Sequence, residues 1–196
     1  MATSAADQGA ERGSRVAVFL DRDGVINRRA PEGEYITQVS DFELLPGVGA
    51  ALRALSGAGA ALFVATNQRG VARGLLSEPT LAQIHGRMAA DLEAAHVRLD
   101  GVYVCPHAEG ECDCRKPGVG LMLQAQADHP WIDFGRSHMI GDSMRDLEAG
   151  HRLGMRLWAV GPDHAAVVGE AAVKGIEVSG SAESLAELVA SRSLEL

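Results

Sequence analysis

The chain has 196 residues, a formal net charge of −8, and 46% hydrophobic, 22% charged and 4% aromatic residues. That length suits one domain with a full-sized core, and so few aromatics leave Ala, Leu and Val to fill it. The acidic balance argues against sequence-independent nucleic-acid binding, which needs clustered Lys and Arg. No apolar run approaches the roughly 20 residues that span a bilayer, and no basic-then-apolar leader opens the chain, so a cytoplasmic protein is expected.

Residues 1–14 are small and polar and read as a disordered segment ahead of a single domain over 15–196. The apolar, β-branched and aromatic run at 15–20 predicts a first strand, which ends on Asp21-Arg22-Asp23-Gly24. Residues 24–46, broken by Pro31, Gly33 and Pro46, read as a loop excursion. The spacing of Val48, Ala51, Leu52 and Leu55 predicts a helix, stopped by Gly57 and Gly59. Residues 61–65 predict a second strand, followed by Thr66-Asn67-Gln68. Leu81, Ile84, Met88 and Leu92 mark one side of a long helix over 78–95. A third strand at 102–104 leads into Cys105-Pro106-His107, Cys112-Asp113-Cys114 and Arg115-Lys116-Pro117, before a helix at 119–127. A fourth strand at 137–140 ends on Gly141-Asp142-Ser143 and opens a helix over 144–153 that carries Asp146 in its first turn. A fifth strand at 157–160, a short edge strand at 175–178 and a closing helix at 181–191 complete the chain.

Strands alternating with helices imply an α/β, Rossmann-like fold: a parallel sheet with helices on both faces, in three layers. Such sheets bind ligands just outside the carboxyl ends of their strands, and four polar clusters lie there. Each alone reads equally well as a turn or a helix cap; four at successive strand ends favour a shared chemistry. Phosphoryl transfer suits them, because the transferring group carries negative charge that must be neutralised and held in line. Asp21 and Asp142, with a carbonyl near Asp23, can hold Mg2+, which prefers oxygen ligands. Lys116 and the Thr66 hydroxyl can stabilise phosphate oxygens. The first carboxylate can attack phosphorus to form an aspartyl-phosphate; the second can protonate the leaving oxygen and then activate water.

Cys105, His107, Cys112 and Cys114 are four ligands of the kind that closes a tetrahedral zinc site. A disulfide and unliganded thiols are the competing readings, but cytoplasmic thiols rarely stay paired and three cysteines cannot all pair within one chain. A zinc with all four ligands has no open position, so its expected role is structural: it folds the loop from Cys105 to Cys114 and positions Arg115 and Lys116.

Asp21-Arg22-Asp23-Gly24, Thr66-Asn67-Gln68, Arg115-Lys116-Pro117 and Gly141-Asp142-x-x-x-Asp146 resemble the four motifs of the haloacid dehalogenase superfamily phosphatases, over roughly residues 15–160. The resemblance implies Asp21 as nucleophile and Asp23 as general acid/base. It implies Thr66 and Lys116 as stabilisers of the phosphoryl group, and Asp142 completing a Mg2+ site with Asp21 and the Asp23 carbonyl. Asp146 would stand behind that site, and no large cap domain is expected. The zinc loop is similar to those of the heptose-1,7-bisphosphate 7-phosphatases and the histidinol-phosphate phosphatases. The segment Thr66 to Gly74, and Gly33-x-Tyr35 after Asn27, look more like the heptose group. Ser143, where that group commonly has Lys, departs from it, and the four residues between His107 and Cys112 are closer to the histidinol type.

Substrate choice then falls to loops at the mouth: Asn27 and Tyr35 on one, Asn67, Gln68 and Arg69 on another, Arg115 on the zinc loop. Arg69 and Arg115 can each grip a remote anionic group in a bidentate way, although Arg69 alone reads equally as a solvated loop cation. The resemblance thus implies a Mg2+-dependent phosphomonoesterase acting on a small phosphorylated sugar, the 7-phosphate of D-glycero-D-manno-heptose 1,7-bisphosphate, with histidinol phosphate as the alternative substrate. A catalytically silent zinc-containing binding module would show damage at Asp21, Asp23, Lys116 or Asp142, and none is damaged. A polynucleotide 3′-phosphatase would want a basic stripe. Partners expected are the small substrate alone, without nucleic acid or membrane, and with no long exposed apolar stripe a monomer is expected. His85, His96, His129, His138, His151 and His164 read as surface or packing residues, and Trp131 and Trp158 as core.

Overall fold

The computed structural model describes residues 15–194; the segment 1–14, expected to be disordered, lies outside them. Its elements in chain order are β1 (Ala17–Leu20), α1 (Val48–Gly57), β2 (Ala61–Asn67), α2 (Glu78–Ala94), β3 (Gly101–Cys105), α3 (Gly120–Asp128), β4 (His138–Gly141), α4 (Met144–Arg152), β5 (Arg156–Val160), α5 (His164–Val173), β6 (Gly180–Ala182) and α6 (Leu185–Ala190). The strands form one parallel sheet in the order β3-β2-β1-β4-β5-β6. From β1 the chain winds outward to β2 and β3, then returns to the other side of β1 for β4, β5 and β6. The topological switch point, where such sheets open a crevice, is therefore at the carboxyl end of β1.

Two cores sandwich the sheet. Val18 and Leu20 of β1 face one side, with Leu62, Val64, Ile140 and Trp158, and pack against Leu52 of α1, Ile84 of α2 and Leu188 of α6. Ala17 and Phe19 face the other side, with Phe63, Met139 and Leu157, and pack against Met122 of α3, Leu147 of α4 and Ala171 of α5. Both faces of the central strands are buried, which is why they read as unbroken apolar runs rather than alternating ones. Phe19 and Phe63, paired in register, stack with centroids 5.3 Å apart.

The strand at 61–65 extends two residues further, so that Thr66 and Asn67 pair with Val104 and Cys105 and are fixed by the ladder. The edge strand expected at 175–178 is instead Gly180–Ala182, and α5 fills a stretch read without an element. Both misreadings have a local cause. In α5 the small apolar residues show no amphipathic period and only Ala171 is fully buried. β6 is Gly-Ser-Ala with no β-branched residue, and Gly180 is needed because a Cβ there would press on the Trp158 ring. Ile176 and Val178 alternate as a strand would, yet pack as coil on the core. The stretch between β1 and α1 holds one 3-10 turn (Val39–Asp41) and an Asn27–Leu44 bridge; among the described residues no insertion builds a cap over the crevice. No helix of the described residues is long and apolar enough to cross a membrane.

Candidate active site

Asp21 is the first residue beyond β1, and its N–H donates to the Ile140 carbonyl (3.0 Å), which carries the β1–β4 pairing one step past the strand. The chain then turns tightly, with Ile26 and Asn27 N–H donating to the Arg22 carbonyl. Gly24 sits in this turn at φ 87°, and a Cβ there would overlap the Asp142 carboxylate. At the end of β4, a Cβ on Gly141 would overlap the Asp146 side chain. These two glycines let acidic groups from separate strand ends meet: one oxygen each from Asp21, Asp142 and Asp146 lie within 4.8 Å of one another.

Lys116 answers this charge from the end of the cysteine-bearing loop after β3. Its Nζ lies 2.9 Å from Asp21 Oδ1, also pairs with Asp146 Oδ1, and donates to the Ala65 carbonyl, with the side chain 2% exposed. Ser143 donates its N–H (3.1 Å) and hydroxyl (2.6 Å) to Asp146 Oδ2, so Asp146 is fully engaged in holding Lys116 and the start of α4. One ammonium against three carboxylates leaves the cluster negative. Burial, with Asp146 and Asp23 adding to it, pushes the Asp21 carboxyl up to about 6 in spite of Lys116. Burial and the charge of Asp21 push Asp142 up to about 8. Arg29 approaches Asp142 (3.1 Å) and also Asp163 (3.7 Å). A cradle of carboxylate oxygens with excess negative charge fits a hard divalent cation such as Mg2+.

Asp23, two residues on, is in different surroundings. Burial alone would raise its carboxyl, but the Arg22 charge and hydrogen bonds from Asn27, Arg22 and Gln68 hold it below the ordinary range. Arg22 is fully buried, with Nη2 2.9 Å from both carboxylate oxygens. Asn27 Nδ2 donates to Asp23 Oδ1 (2.9 Å), and Gln68 Nε2 to Asp23 Oδ2 (2.8 Å) and the Thr66 hydroxyl (2.9 Å).

These contacts open onto a cavity of about 280 Å³ lined by Asp21, Asp23, Lys116 and Asp142 together with Tyr35, Asn67, Gln68, Arg69 and Arg115. Asn27 and Thr66, expected to meet substrate and phosphate, are instead buried behind this wall. The reason is packing: Asn27 belongs to the tight turn after β1, and Thr66 to the inner ladder of β2. Asn67 is on the wall but is engaged with the main chain. Its Nδ2 donates to the Lys116 carbonyl and its Oδ1 accepts from the Lys116 N–H, both at 3.0 Å. The Tyr35 hydroxyl accepts from Arg69 Nε (3.1 Å) and Arg73 Nη1 (3.4 Å), with the Arg73 guanidinium 5.7 Å from the ring centroid, which ties two of the mouth loops together. Arg29, Glu34, Ser143 and Arg145 also line the cavity. Neither Arg29 nor Arg145 stands in a motif that singles it out; their signal lies only in their nearness to Asp23 and Asp142 along the chain.

Next to Lys116, Cys105, His107, Cys112 and Cys114 converge. Their Sγ–Sγ separations are 3.6 Å (Cys105–Cys112) and 3.2 Å (Cys112–Cys114), and His107 Nδ1 lies 3.7 Å from Cys105 and 3.4 Å from Cys114. A tetrahedron with Zn–S near 2.3 Å and Zn–N near 2.0 Å has edges of about 3.5–3.8 Å, close to these values, and all three thiols are free. Beyond the cluster, Gly118 N–H donates to the Arg115 carbonyl and Gly120 N–H to the Asp113 carbonyl; a Cβ at either glycine would strike the loop backbone. Arg115 Nη1 is buried and has no hydrogen-bond partner among the described residues.

The family model for HAD-hydrolase-like proteins matches residues 113–187. A D-glycero-beta-D-manno-heptose-1,7-bisphosphate 7-phosphatase of Haemophilus ducreyi is 43% identical over 148 residues, which cover 71% of this chain and 79% of that protein. A D-glycero-alpha-D-manno-heptose-1,7-bisphosphate 7-phosphatase of Mycobacterium tuberculosis is 42% identical over 146 residues, 74% of this chain and 76% of that protein. Among solved structures, the D,D-heptose 1,7-bisphosphate phosphatase of B. bronchiseptica, complexed with magnesium and phosphate, superposes with a TM-score of 0.81 at 30% identity and covers 90% of this chain and 97% of that one.

Proposed function

Starting from a chain that belongs to the haloacid dehalogenase-like phosphatases, we propose that it hydrolyses the 7-phosphate of D-glycero-D-manno-heptose 1,7-bisphosphate through an aspartyl-phosphate on Asp21. The observation that carries the chemistry is the meeting of Asp21, Lys116 and Asp142 at the switch point, with Asp23 alongside. Relatives named for this substrate, and one named as holding magnesium and phosphate, support the choice of ester and ion.

Asp21, Asp142 and the Asp23 carbonyl would hold Mg2+, which when bound supplies charge neutralisation for the phosphoryl oxygens and the three carboxylates. Asp21 attacks phosphorus; as the Asp21 Oδ–P bond forms, the P–O7 bond breaks. Lys116, held by Asn67 and Asp146, balances the charge beside the nucleophile. Asp23 gives its proton to the departing sugar oxygen. In the free site Arg22, Asn27 and Gln68 keep Asp23 ionised; the phosphate dianion brought beside it adds the like charge that favours protonation. Asp23 then takes a proton from water as the water oxygen attacks phosphorus, which breaks the acyl-phosphate bond and releases inorganic phosphate. Asn27 and Thr66 act from behind the wall, Asn27 by orienting Asp23 and Thr66 by accepting from Gln68. With Nε on Tyr35, Arg69 offers its two Nη groups to the remote 1-phosphate, and Arg115 adds its positive charge from the cavity wall. Cys105, His107, Cys112 and Cys114 would hold Zn2+, a structural knot that fixes the stretch Arg115–Lys116.

The test is phosphate release with Mg2+ from both anomers of heptose 1,7-bisphosphate and from histidinol phosphate. The expected result is a kcat/KM for one heptose anomer about a hundredfold or more above histidinol phosphate, as for a site whose polar groups match its substrate. A preference for histidinol phosphate would overturn the substrate assignment and leave the phosphatase chemistry standing.

A further inference from the structure

One titratable side chain beneath the site has no task in the steps above. His85 lies on α2, between the core residues Ile84 and Met88, and does not line the cavity. Its Nε2 is 3.1 Å from Arg22 Nη1. A guanidinium can only donate, so Nε2 accepts and the ring proton resides on Nδ1. The ring is neutral: burial, and then the neighbouring Arg22 charge, push its pKa down to about 4. Arg22 itself is out of water, its side chain 1% exposed, and a buried cation needs its donors placed. Nε and Nη2 meet Asp23, and Nη1 meets His85. Because the guanidinium is a rigid planar fork, fixing Nη1 fixes the plane in which the other nitrogens present themselves to the carboxylate.

We propose that His85 is a positioning residue for the acid–base step: by accepting from Arg22 Nη1 it holds the guanidinium plane that orients the Asp23 carboxyl toward the leaving oxygen. This rests on the reading of Asp23 as general acid/base. It assigns a catalytic consequence to α2, whose only other evident duty is to fill the core with Leu81, Ile84, Met88 and Leu92. His85 works through Arg22 and never touches the substrate.

Leaving-group dependence tests it. An alkoxide needs a proton to depart and p-nitrophenolate does not, so a misplaced acid slows phosphoenzyme formation from a sugar phosphate far more than from p-nitrophenyl phosphate. The readout is kcat/KM for heptose 1,7-bisphosphate (or histidinol phosphate, should that prove the preferred ester) and for p-nitrophenyl phosphate, in His85→Asn, His85→Gln and Asp23→Asn. The Gln oxygen reaches the place of Nε2, whereas the Asn oxygen reaches only that of Nδ1. His85→Asn should lose about tenfold or more on the alkyl ester, a part of the range general acids contribute, and much less on the aryl ester; His85→Gln should recover most of the loss. Equal losses on both esters, no loss on either, or identical behaviour of Asn and Gln would overturn the proposal, while a selective loss in Asp23→Asn would then leave the assignment of Asp23 intact. If Asp23→Asn does not distinguish the two esters, the acid–base assignment fails and takes the role of His85 with it.

Discussion

Asp21 and Asp23 are two residues apart on one turn, yet burial and neighbouring carboxylates raise the first to about 6 while Arg22, Asn27 and Gln68 hold the second below its usual range. The two carboxyls therefore stand in opposed surroundings, and in the metal-free site the proposed acid–base group, Asp23, is held ionised until a phosphate dianion beside it favours its protonation. Asp21→Asn keeps the shape and removes the proposed nucleophile, so turnover should fall by about a thousandfold or more while circular dichroism and melting stay close to the parent protein; full activity in that variant would end the aspartyl-phosphate mechanism. Asn67 offers a subtler test. Its amide makes two 3.0 Å bonds to the Lys116 backbone, and each such bond is worth about 1 kcal/mol. Asn67→Ala should therefore lower stability by about 1–2 kcal/mol, and because Lys116 moves from Asp21, kcat should fall more than KM rises. A change confined to KM would return Asn67 to direct substrate contact, as its place in the sequence alone suggests.

At the scale of elements, the cysteine loop is a short link between β3 and Lys116, the lysine beside Asp21. Cys105 closes β3, Cys114 precedes Arg115 and Lys116, and Gly118 and Gly120 fold the chain back so tightly that no Cβ fits. Cys112→Ser should lower zinc content, read by metal analysis, and melting temperature together, with activity falling only as the loop loosens; undiminished zinc stoichiometry would show that the four residues do not hold the ion. The elements that bring the candidate site together were legible in the sequence because they join two strong signals: an apolar run long enough to be a buried strand, and a polar motif at its end. That is true of Asp21 after β1, Asn67 at the end of β2 and Asp142 after β4, and the cysteine spacing stood out unaided. What escaped has a physical cause in each case. α5 lacks a helical apolar period, and β6 is too short and too small in side chains. The burial of Arg22, Asn27 and Thr66 depends on how the turn after β1 packs under the loop after β2, a contact between residues 45 apart in sequence, and local pattern holds no record of it. Arg29 likewise reaches Asp142 across |i−j| of 113.

For the whole molecule, the switch point brings together carboxylates that no single element would tolerate. Asp21 comes from just beyond β1, Asp142 from the β4–α4 junction and Asp146 from the first turn of α4, and one lysine from the cysteine loop pairs with Asp21 and Asp146. With no Mg2+ bound, Asp142 has its carboxyl raised to about 8 and Asp21 to about 6, against 3.8 for both as free carboxyls. For acids raised on folding, the stabilising contribution is full below the unfolded value and is lost as pH rises through the folded one. Asp142 therefore weakens the fold as pH climbs through about 8, and Asp21 does so lower down, through about 6. A divalent cation bound at these oxygens reverses the penalty and stabilises the folded state by mass action. It must also displace the Asp142 proton when the pH is low, so its apparent affinity falls as the site protonates. The increment in melting temperature on adding Mg2+ should accordingly be larger at about pH 8.5 than at about pH 6.5. Taking the increment at each pH cancels groups remote from the ion, including His85, whose depressed value acts at lower pH. Asp142→Asn, which removes one negative ligand, should shrink the increment and most of its pH dependence. Equal increments at both pH values would mean that Mg2+ and the proton do not compete for Asp142, and the ion would then have to be held elsewhere.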